Sequence, residues 1–356
     1  MNKKTGLILI LILFLTASFS FSKVSDKQNA WIKAAAEKDA TMKLQLFEAY
    51  KEKYGGKKDK NTKFLYFNLA QTSMALKKFE KVIEYGEKAL TFEDLEDSYK
   101  LDIALWLANA FNLARKDYDK AYSYADMVID LGKSLKGMAD GREQADEIAE
   151  GINKRFIAPA FRIQIWILKS KGISDDKARM DVVQKGIAAH NFDKSNPFPK
   201  RTVLQESVEL ARKNKINEAI DAIEKVVDLE KLNFSEANLL AQLFIRRFNR
   251  SKTEADKDKT IFYFEEAYKK APQESKKKKG GIAVKIGRLL SKKDKDKAIK
   301  YFAEAFVLLE SDKESDAYKY LQQLWFKEVA SDKTPEEQEA GFKQIIDAAK
   351  TRLGTQ

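Results

Sequence analysis

The stretches KKFEKVIEYGEKAL (residues 77–90) and KDKDKAIKYFAEAF (residues 293–306) are two copies of one amphipathic pattern. Each copy has small residues where two helices must touch and large apolar residues on either side. A pattern of this kind that returns every few tens of residues is typical of stacked helical hairpins, in which each hairpin buries its apolar face against its neighbour. The sequence therefore predicts a stack of hairpins with a long surface available for binding.

The first small residue in the second helix of each hairpin marks the period of the repeat. The markers recur every 38 to 42 residues, apart from one step of 57 that contains an irregular segment at 131–155. They are Val82, Ala121, Ala178, Ala219, Thr260, Ala298 and Ala340. We expect about seven or eight hairpins in total, with a capping helix at each end.

The segment 62–92 resembles the tetratricopeptide repeat (TPR) family, whose consensus runs W-x2-L-G-x2-Y, then A-x3-F-x2-A, then P. The residues at the corresponding positions are Tyr66, Leu69, Ala70, Ser73, Val82, Gly86 and Ala89. The resemblance extends over nearly all of the chain after residue 22, but it is strong in only about three units. It implies an all-α fold, a right-handed superhelix of antiparallel helical hairpins (a TPR-like α-solenoid), in a degenerate member of the family.

Residues 1–22 have the composition of a secretory signal peptide. Lys3 and Lys4 precede the apolar run 7–15, and the small and polar stretch TASFSFS follows. We expect cleavage after residue 20 or 22 and export to the periplasm of a bacterium. An uncleaved N-terminal anchor stays open, because the apolar stretch is only slightly shorter than the roughly 17 to 25 residues of a membrane span. The chain has no cysteine, which excludes a lipid-anchored lipoprotein.

The remaining chain divides at the segment NFDKSNPFPKRT (residues 191–202). Its prolines, Pro197 and Pro199, cannot continue a helix and restrict the residues before them. We therefore predict N-terminal hairpins over 23–195 and C-terminal hairpins with a capping helix over 200–356. Because the repeat resumes after the prolines, we expect the two parts to form one continuous array.

The sequence lacks the residue sets that catalysis or metal binding would need. It has one histidine, His190, and we predict it to be a helix C-terminal residue that favours the helix dipole when charged. With no cysteine and no HExxH motif, no zinc site is expected, and no cofactor is expected either. The lysine run 276–279 is predicted to be an exposed turn, with an anionic contact patch as the alternative.

The family resemblance also implies where a ligand would bind. In TPR arrays the first helix of each hairpin lines the concave surface, and residues two, five, nine and twelve of the repeat make the contacts. The corresponding candidates are Phe64, Phe67, Gln71, Met74, Asp102, Leu105, Asn109, Asn112 and Arg288. Amide side chains such as Gln71 can bond a peptide backbone without the desolvation cost of a full charge.

We predict an exported, non-enzymatic TPR-type scaffold that binds a protein or peptide in its concave groove, with a role in envelope assembly. The formal net charge of +12 supports an alternative, the binding of an anionic cell-envelope polymer or glycan through a basic surface. Nucleic acid is not expected as a partner, since the leader directs the chain to another compartment. A membrane is expected as a partner only if the leader is retained.

Overall fold

The computed structural model describes residues 25–55, 61–139, 141, 144–272, 275–310 and 312–354. In these residues the chain forms helices joined by short turns and contains no β-strand, so the predicted all-α class is confirmed. The predicted leader, residues 1–22, lies outside the described residues. Within them, no helix combines the length and the apolar character that a membrane crossing requires.

The chain divides into two compact units, unit 1 ending at Ile167 and unit 2 beginning at Leu168. The helices that begin in unit 1 are α1 (Asp26–Ala36), α2 (Ala40–Tyr54), α3 (Thr62–Ala75), α4 (Phe79–Leu90), α5 (Asp97–Ala114), α6 (Tyr118–Ala139), α7 (Ala145–Ile152), the π-helix π1 (Asn153–Ile157) and α8 (Ala158–Ser170). Helices α1 and α2, α3 and α4, and α5 and α6 pack as consecutive pairs. These are the first three predicted hairpins.

Unit 2 continues with the same kind of pairing. Its helices are α9 (Asp176–Phe192), α10 (Pro197–Arg212), α11 (Ile216–Glu224), α12 (Phe234–Ser251), α13 (Glu254–Lys270), α14 (Lys276–Leu290), α15 (Lys295–Leu308), α16 (Asp316–Gln322), the π-helix π2 (Gln323–Val329) and α17 (Pro335–Leu353). The closest pairs are α9 with α10, α12 with α13, and α14 with α15, while α17 packs on α15. The pairing of consecutive helices that the sequence predicts is thus present in this unit too.

Small residues lie where the helices approach each other, as predicted. Five of the seven markers are fully buried: Val82, Ala121, Ala219, Thr260 and Ala298. Ala178 is half-buried, and Ala340 is exposed, so the last marker was wrong. The close approach in α17 occurs one residue later, at Gly341, where a Cβ atom would lie 2.5 Å from Cζ2 of Trp325.

The turn between the two helices of a hairpin uses a left-handed residue at four places. These residues are Lys77, Arg115, Asn214 and Lys252, with φ of 55°, 52°, 74° and 54°. Three of the turns close with a bond that spans six residues, from the N–H of Lys78 to the Ser73 carbonyl, from Lys116 to Phe111 and from Lys215 to Leu210. Such bonds satisfy carbonyls at the end of the first helix and reverse the chain within a few residues.

The two prolines of the linker begin a helix. Pro197 is the first residue of α10, and the Asn196 side chain accepts the backbone N–H of Phe198, as is usual at a helix start. The prolines therefore mark the turn between α9 and α10, which pack on each other. The predicted limits 23–195 and 200–356 stay a prediction.

The irregular segment 131–155 is more helical than predicted. Helix α6 extends to Ala139, and α7 leads without a break into π1 and α8. The extension brings Gly132 against π1, where an added Cβ would lie only 2.8 Å from Cγ1 of Ile157. The glycines of this segment thus include one contact residue, which loop composition alone does not reveal.

The second helices of unit 1 are joined by a repeated polar contact. Glu48 of α2 forms an ion pair with Lys81 of α4 and accepts a hydrogen bond of 3.0 Å from the Tyr85 hydroxyl. In the next hairpin, Glu87 of α4 accepts bonds from Lys120 Nζ at 2.8 Å and from the Tyr124 hydroxyl at 3.2 Å. We call these six residues the Glu-Lys-Tyr ladder.

Candidate functional site

Eight of the nine predicted groove residues lie on α3 and α5, the first helices of two hairpins in unit 1, and these helices contact each other. Phe64 and Phe67 each place an edge against Tyr99, with ring centroids 5.6 and 4.7 Å apart. Phe67 also lies 5.3 Å from the ring of Trp106 and is buried. We call these four residues the aromatic face. Its rings hold α3 against α5, so the two phenylalanines have a packing role.

The polar candidates of α3 and α5 differ in how they are used. Gln71 is exposed, whereas the Asn109 side chain donates 3.1 Å to the Leu105 carbonyl of its own helix. Asp102 is half-buried and lies 3.5 Å from Arg155 of π1. Burial raises the pKa of Asp102, and the charge of Arg155 opposes that rise. Gln71 is therefore the candidate whose side chain is most accessible to a ligand.

The remaining three candidates of unit 1 are half-buried, and the ninth candidate belongs to unit 2. The three are Met74, Leu105 and Asn112. Arg288, on α14, is exposed, pairs with Asp316 and lies 4.6 Å above the Tyr320 ring. A role in ligand binding stays a prediction for all nine residues.

Unit 2 contains a cavity of about 370 Å³ close to Arg288, at the turn after α14. Its apolar wall consists of Phe302, Tyr320 and Leu324, and an ion pair between Lys295 and Glu328 lies at its edge. Phe302 and Tyr320 stack at 5.4 Å. The lining of this cavity contains both positive and negative side chains, so the cavity favours neither a cationic nor an anionic ligand.

A cleft between α12 and α14 has a more definite character. It encloses about 360 Å³ and we call it the lysine cleft. It is lined by Phe234, Asn238, Gln242, Lys277, Lys278, Gly281, Ile282 and Lys285. Both helices are first helices of their hairpins.

The lining of the lysine cleft combines three kinds of chemistry. Among the described residues it has three ammonium groups and no carboxylate, two side-chain amides, and an apolar surface from Phe234 and Ile282. Burial lowers the pKa of Lys285, whose Nζ lies 5.3 Å from the centre of the Phe264 ring. A partly desolvated ammonium group attracts an anion more strongly than a fully hydrated one.

The lysine run 276–279 is the first turn of α14, where an exposed turn was predicted, so that prediction was wrong. No acidic residue accompanies the lysines in this turn, and Ser275 provides no side-chain cap. Positive charges at the N-terminus of a helix oppose its dipole by about 0.3–1 kcal/mol each. Lys277 and Lys278 line the lysine cleft, which agrees with the alternative of an anionic contact patch.

The sequence analysis missed Asn238 and Gln242. They lie four residues apart in EANLLAQ (residues 236–242), so they share one face of α12. The TPR consensus is weak in this hairpin, and groove positions were assigned only in the clearest units. The signal that would have found them is the pair of amides at helical spacing in a first helix.

His190 lies in the last turn of α9, as predicted, but its environment is different from the expected one. The side chain is buried, and burial together with Lys200 and Lys194 lowers its pKa. A lowered pKa favours the neutral imidazole. The predicted stabilisation of the helix dipole needs a charged His190, and the lowered pKa works against it. Among the described residues, no group of three or more acidic or histidine side chains is placed to bind a metal ion.

No protein family and no curated protein sequence matches this chain. Solved structures that are similar to it include the following three. The assembly chaperone of RpL4 (Acl4) has 13% identity and a TM-score of 0.44, with 89% of this chain and 100% of that chain covered. Yeast Tom70 has 16% identity, a TM-score of 0.23 and coverages of 91% and 84%. The P58(IPK) TPR domain has 14% identity, a TM-score of 0.24 and coverages of 92% and 98%. Our description of the fold rests on the helix pairs of this chain.

Proposed function

We propose that this protein is a non-enzymatic scaffold that binds a segment of a partner protein through the first helices of its hairpins. The lysine cleft is the observation that carries the proposal. It lies between the first helices α12 and α14 and offers ammonium, amide and apolar groups within one cavity. This combination matches a peptide, which presents a backbone, charged side chains and apolar side chains together.

The chemistry of the cleft defines the kind of segment that would bind. The three lysines favour aspartate or glutamate side chains, and Asn238 and Gln242 can both donate to and accept from a peptide backbone. Phe234 and Ile282 favour an apolar residue next to the acidic ones. The proposed ligand is therefore an acidic segment interrupted by apolar residues.

The proposal includes the predicted export. Residues 1–22 have the pattern of a signal peptide, and the partner would then be a protein of the periplasm or cell envelope, in keeping with a role in envelope assembly. Crosslinking in cells followed by mass spectrometry would identify it. Finding the full-length chain in the cytoplasm, with residues 1–22 still attached, would contradict this part of the proposal.

The proposed site can be tested with short fluorescent peptides that alternate acidic and apolar residues, measured by anisotropy against their Asn/Gln counterparts. We expect only the acidic peptides to bind. Lys278→Gln combined with Lys285→Met should weaken binding about tenfold or more, because hydrogen bonds to charged groups contribute about 1.5–3 kcal/mol each. Lys276→Gln is the matched control, since Lys276 is exposed, belongs to the same lysine run and does not line the cleft.

An anionic envelope polymer is the second candidate, and the three lysines of the cleft, which have no carboxylate beside them in the described lining, favour it. The two candidate ligands differ in whether they need hydrogen bonds to the side-chain amides of Asn238 and Gln242. A polymer held by charge should lose affinity steeply as salt rises and should be insensitive to Asn238→Ala and Gln242→Ala. A peptide should depend on those amides and should retain part of its affinity in high salt. Both candidates would be contradicted if neither the lysine substitutions nor the amide substitutions changed the affinity for any of the ligands.

A further inference from the structure

A separate cavity of about 380 Å³ lies among α13, α14, α15 and the last turn of α17. We call it the α17 pocket. Its lining includes Tyr268, Lys279, Lys300, Tyr301, Glu304 and Arg352. None of these residues lines the lysine cleft, so the α17 pocket is a second site with its own chemistry.

The one carboxylate among the described residues of this lining already has two partners. Glu304 is 3% exposed, accepts a hydrogen bond of 2.6 Å from the Tyr268 hydroxyl and pairs with Arg352 Nε at 2.7 Å. The bond to Glu304 uses one of the five N–H donors of the Arg352 guanidinium. Arg352 therefore compensates the charge of Glu304. The other cations of the pocket have no acidic partner among the described residues of the lining.

Those other cations are lysines from three helices. Lys269 of α13 pairs with Glu266 at 2.9 Å. Lys279 of α14 and Lys300 of α15 form no ion pair with the described residues, and Lys279 Nζ lies 4.8 Å from the centre of the Tyr268 ring. Two ammonium groups that form no ion pair with the described residues thus border the same cavity as the Arg352 guanidinium, which has N–H donors beyond the one bonded to Glu304.

The position of Lys279 is fixed by the packing of the next residue. Gly280 is buried, and a Cβ atom there would lie 2.8 Å from Cγ of Leu309, so α14 approaches the end of α15 closely at this point. Lys279 also lies in the first turns of a helix that begins with four lysines and has no acidic residue to offset them. A bound anion would relieve this repulsion, which the described side chains do not.

We propose that the α17 pocket binds a compact phosphoryl anion. A guanidinium and two ammonium groups around a small cavity suit a polyvalent oxyanion, because Arg presents several donors to phosphate oxygens and Lys acts as a point charge. Burial raises the pKa of the Tyr268 and Tyr301 hydroxyls, so both rings stay neutral and add no negative charge at physiological pH. The anion can be a free oligophosphate or the phosphate of a lipid headgroup.

Isothermal titration of the full chain with sodium tripolyphosphate tests the free-anion source, and co-sedimentation with phosphatidylglycerol-containing vesicles tests the lipid source. Vesicles of phosphatidylcholine alone serve as the uncharged reference. We expect saturable binding in at least one arm. The double variant Lys279→Gln/Lys300→Gln should weaken it about tenfold or more, and the single charge reversal Lys300→Glu should also weaken it.

The matched control is Lys276→Gln/Lys313→Gln, which removes the same charge from two exposed lysines outside the pocket. It should leave tripolyphosphate and vesicle binding unchanged. An equal loss in the control and the pocket variant would overturn the proposal, as would the absence of binding in both arms. Circular dichroism confirms that each variant is folded, and unchanged binding of acidic peptides shows that the lysine cleft is intact.

Discussion

Unit 1 and unit 2 use the same pairing of helices but place their charged groups differently. Among the described residues, unit 1 buries no carboxylate, and its second helices are linked through the partly exposed Glu-Lys-Tyr ladder. The described part of unit 2 buries five carboxylates: Asp193, Glu206, Glu236, Asp256 and Glu304. A hairpin stack thus tolerates ion pairs either at its edge or inside its packing, and the energetic consequences of removing them should differ.

The buried acids of unit 2 are tied to basic or polar partners. Glu206 lies next to Arg179 and Lys169, Glu236 next to Lys200, and Glu304 next to Arg352. Removing the cation from a buried pair leaves an uncompensated charge, whereas an exposed pair contributes little. The buried pairs of unit 2 should therefore contribute more to the free energy of unfolding than the partly exposed pairs of unit 1 when one partner is removed.

The largest effect is expected for Arg179→Ala in unit 2. It leaves the buried Glu206 with Lys169 alone, and we expect the free energy of unfolding to fall by about 3 kcal/mol. Arg212→Ala is the matched control, because Arg212 pairs with Glu209 on the exposed side of α10, and it should cost less than about 0.5 kcal/mol. Urea denaturation measures both. Equal losses would show that burial of the pair does not matter here.

A smaller effect is expected for Gly86→Ala in unit 1. A Cβ at this position would lie 2.9 Å from Cδ2 of the buried Leu107, so the Leu107 side chain or the helices around it would have to shift, at a cost of about 1–3 kcal/mol. Gly137→Ala, in α6, meets nothing within 4 Å and should instead stabilise the helix by about 0.5–1 kcal/mol. Thermal unfolding followed by circular dichroism gives both values. Destabilisation by Gly137→Ala would contradict the packing argument.

The smallest effect concerns the pH dependence of the Glu-Lys-Tyr ladder. Burial and the Glu87 carboxylate raise the pKa of Tyr124 from 10.0 to about 12. The stabilising contribution of the neutral hydroxyl is complete below pH 10 and is lost as the pH rises through about 12. Solvent exposure limits it to at most about 1 kcal/mol.

Urea denaturation of the wild type and of Tyr124→Phe at pH 8 and near pH 11 measures this contribution. The stability difference between the two proteins should shrink at the higher pH, because only the wild type has the Tyr124 phenol. A difference that is independent of pH would mean that the hydroxyl makes no titrating contact with Glu87.

The other carboxylate of the ladder, Glu48, should matter at acid pH. Burial opposes its ionisation, but bonds from Lys81 and Tyr85 lower its pKa overall. The stability that the Glu48 carboxylate contributes should therefore be lost only below pH 4.5, the ordinary pKa of a glutamate.

The periodicity of the sequence was sufficient to predict the hairpins, since the small residues that let helices approach recur in register. Five of seven markers are buried at helix contacts, Ala178 is half-buried, and the close approach expected at Ala340 occurs one residue later, at Gly341. Helix α17 is the second helix of an atypical terminal hairpin whose partner includes a π-helix, so the spacing of the internal hairpins does not apply to it.

Contacts between distant side chains were not predictable in the same way. Glu206, Glu236 and Glu304 look like ordinary solvated helix residues in sequence, because their burial depends on which helix covers them. The Glu-Lys-Tyr ladder does leave a trace, since each of its three residue types recurs after 39 residues, the same step that separates Val82 from Ala121. The lysine cleft needed the structure, which places α12 beside α14.

The π-helix π1 has a practical consequence for building chimeras from this protein. A π-turn contains one residue more than an α-turn, so side chains after Ile157 are rotated by about 100° from the positions that uninterrupted α-helical counting would assign. Deleting one residue of 153–157 would let the helix continue as a regular α-helix with Phe161 still on the buried side, whereas α-helical counting across all five residues would turn it away. A junction that transplants these hairpins into another scaffold should therefore keep all five residues or replace them with four α-helical ones.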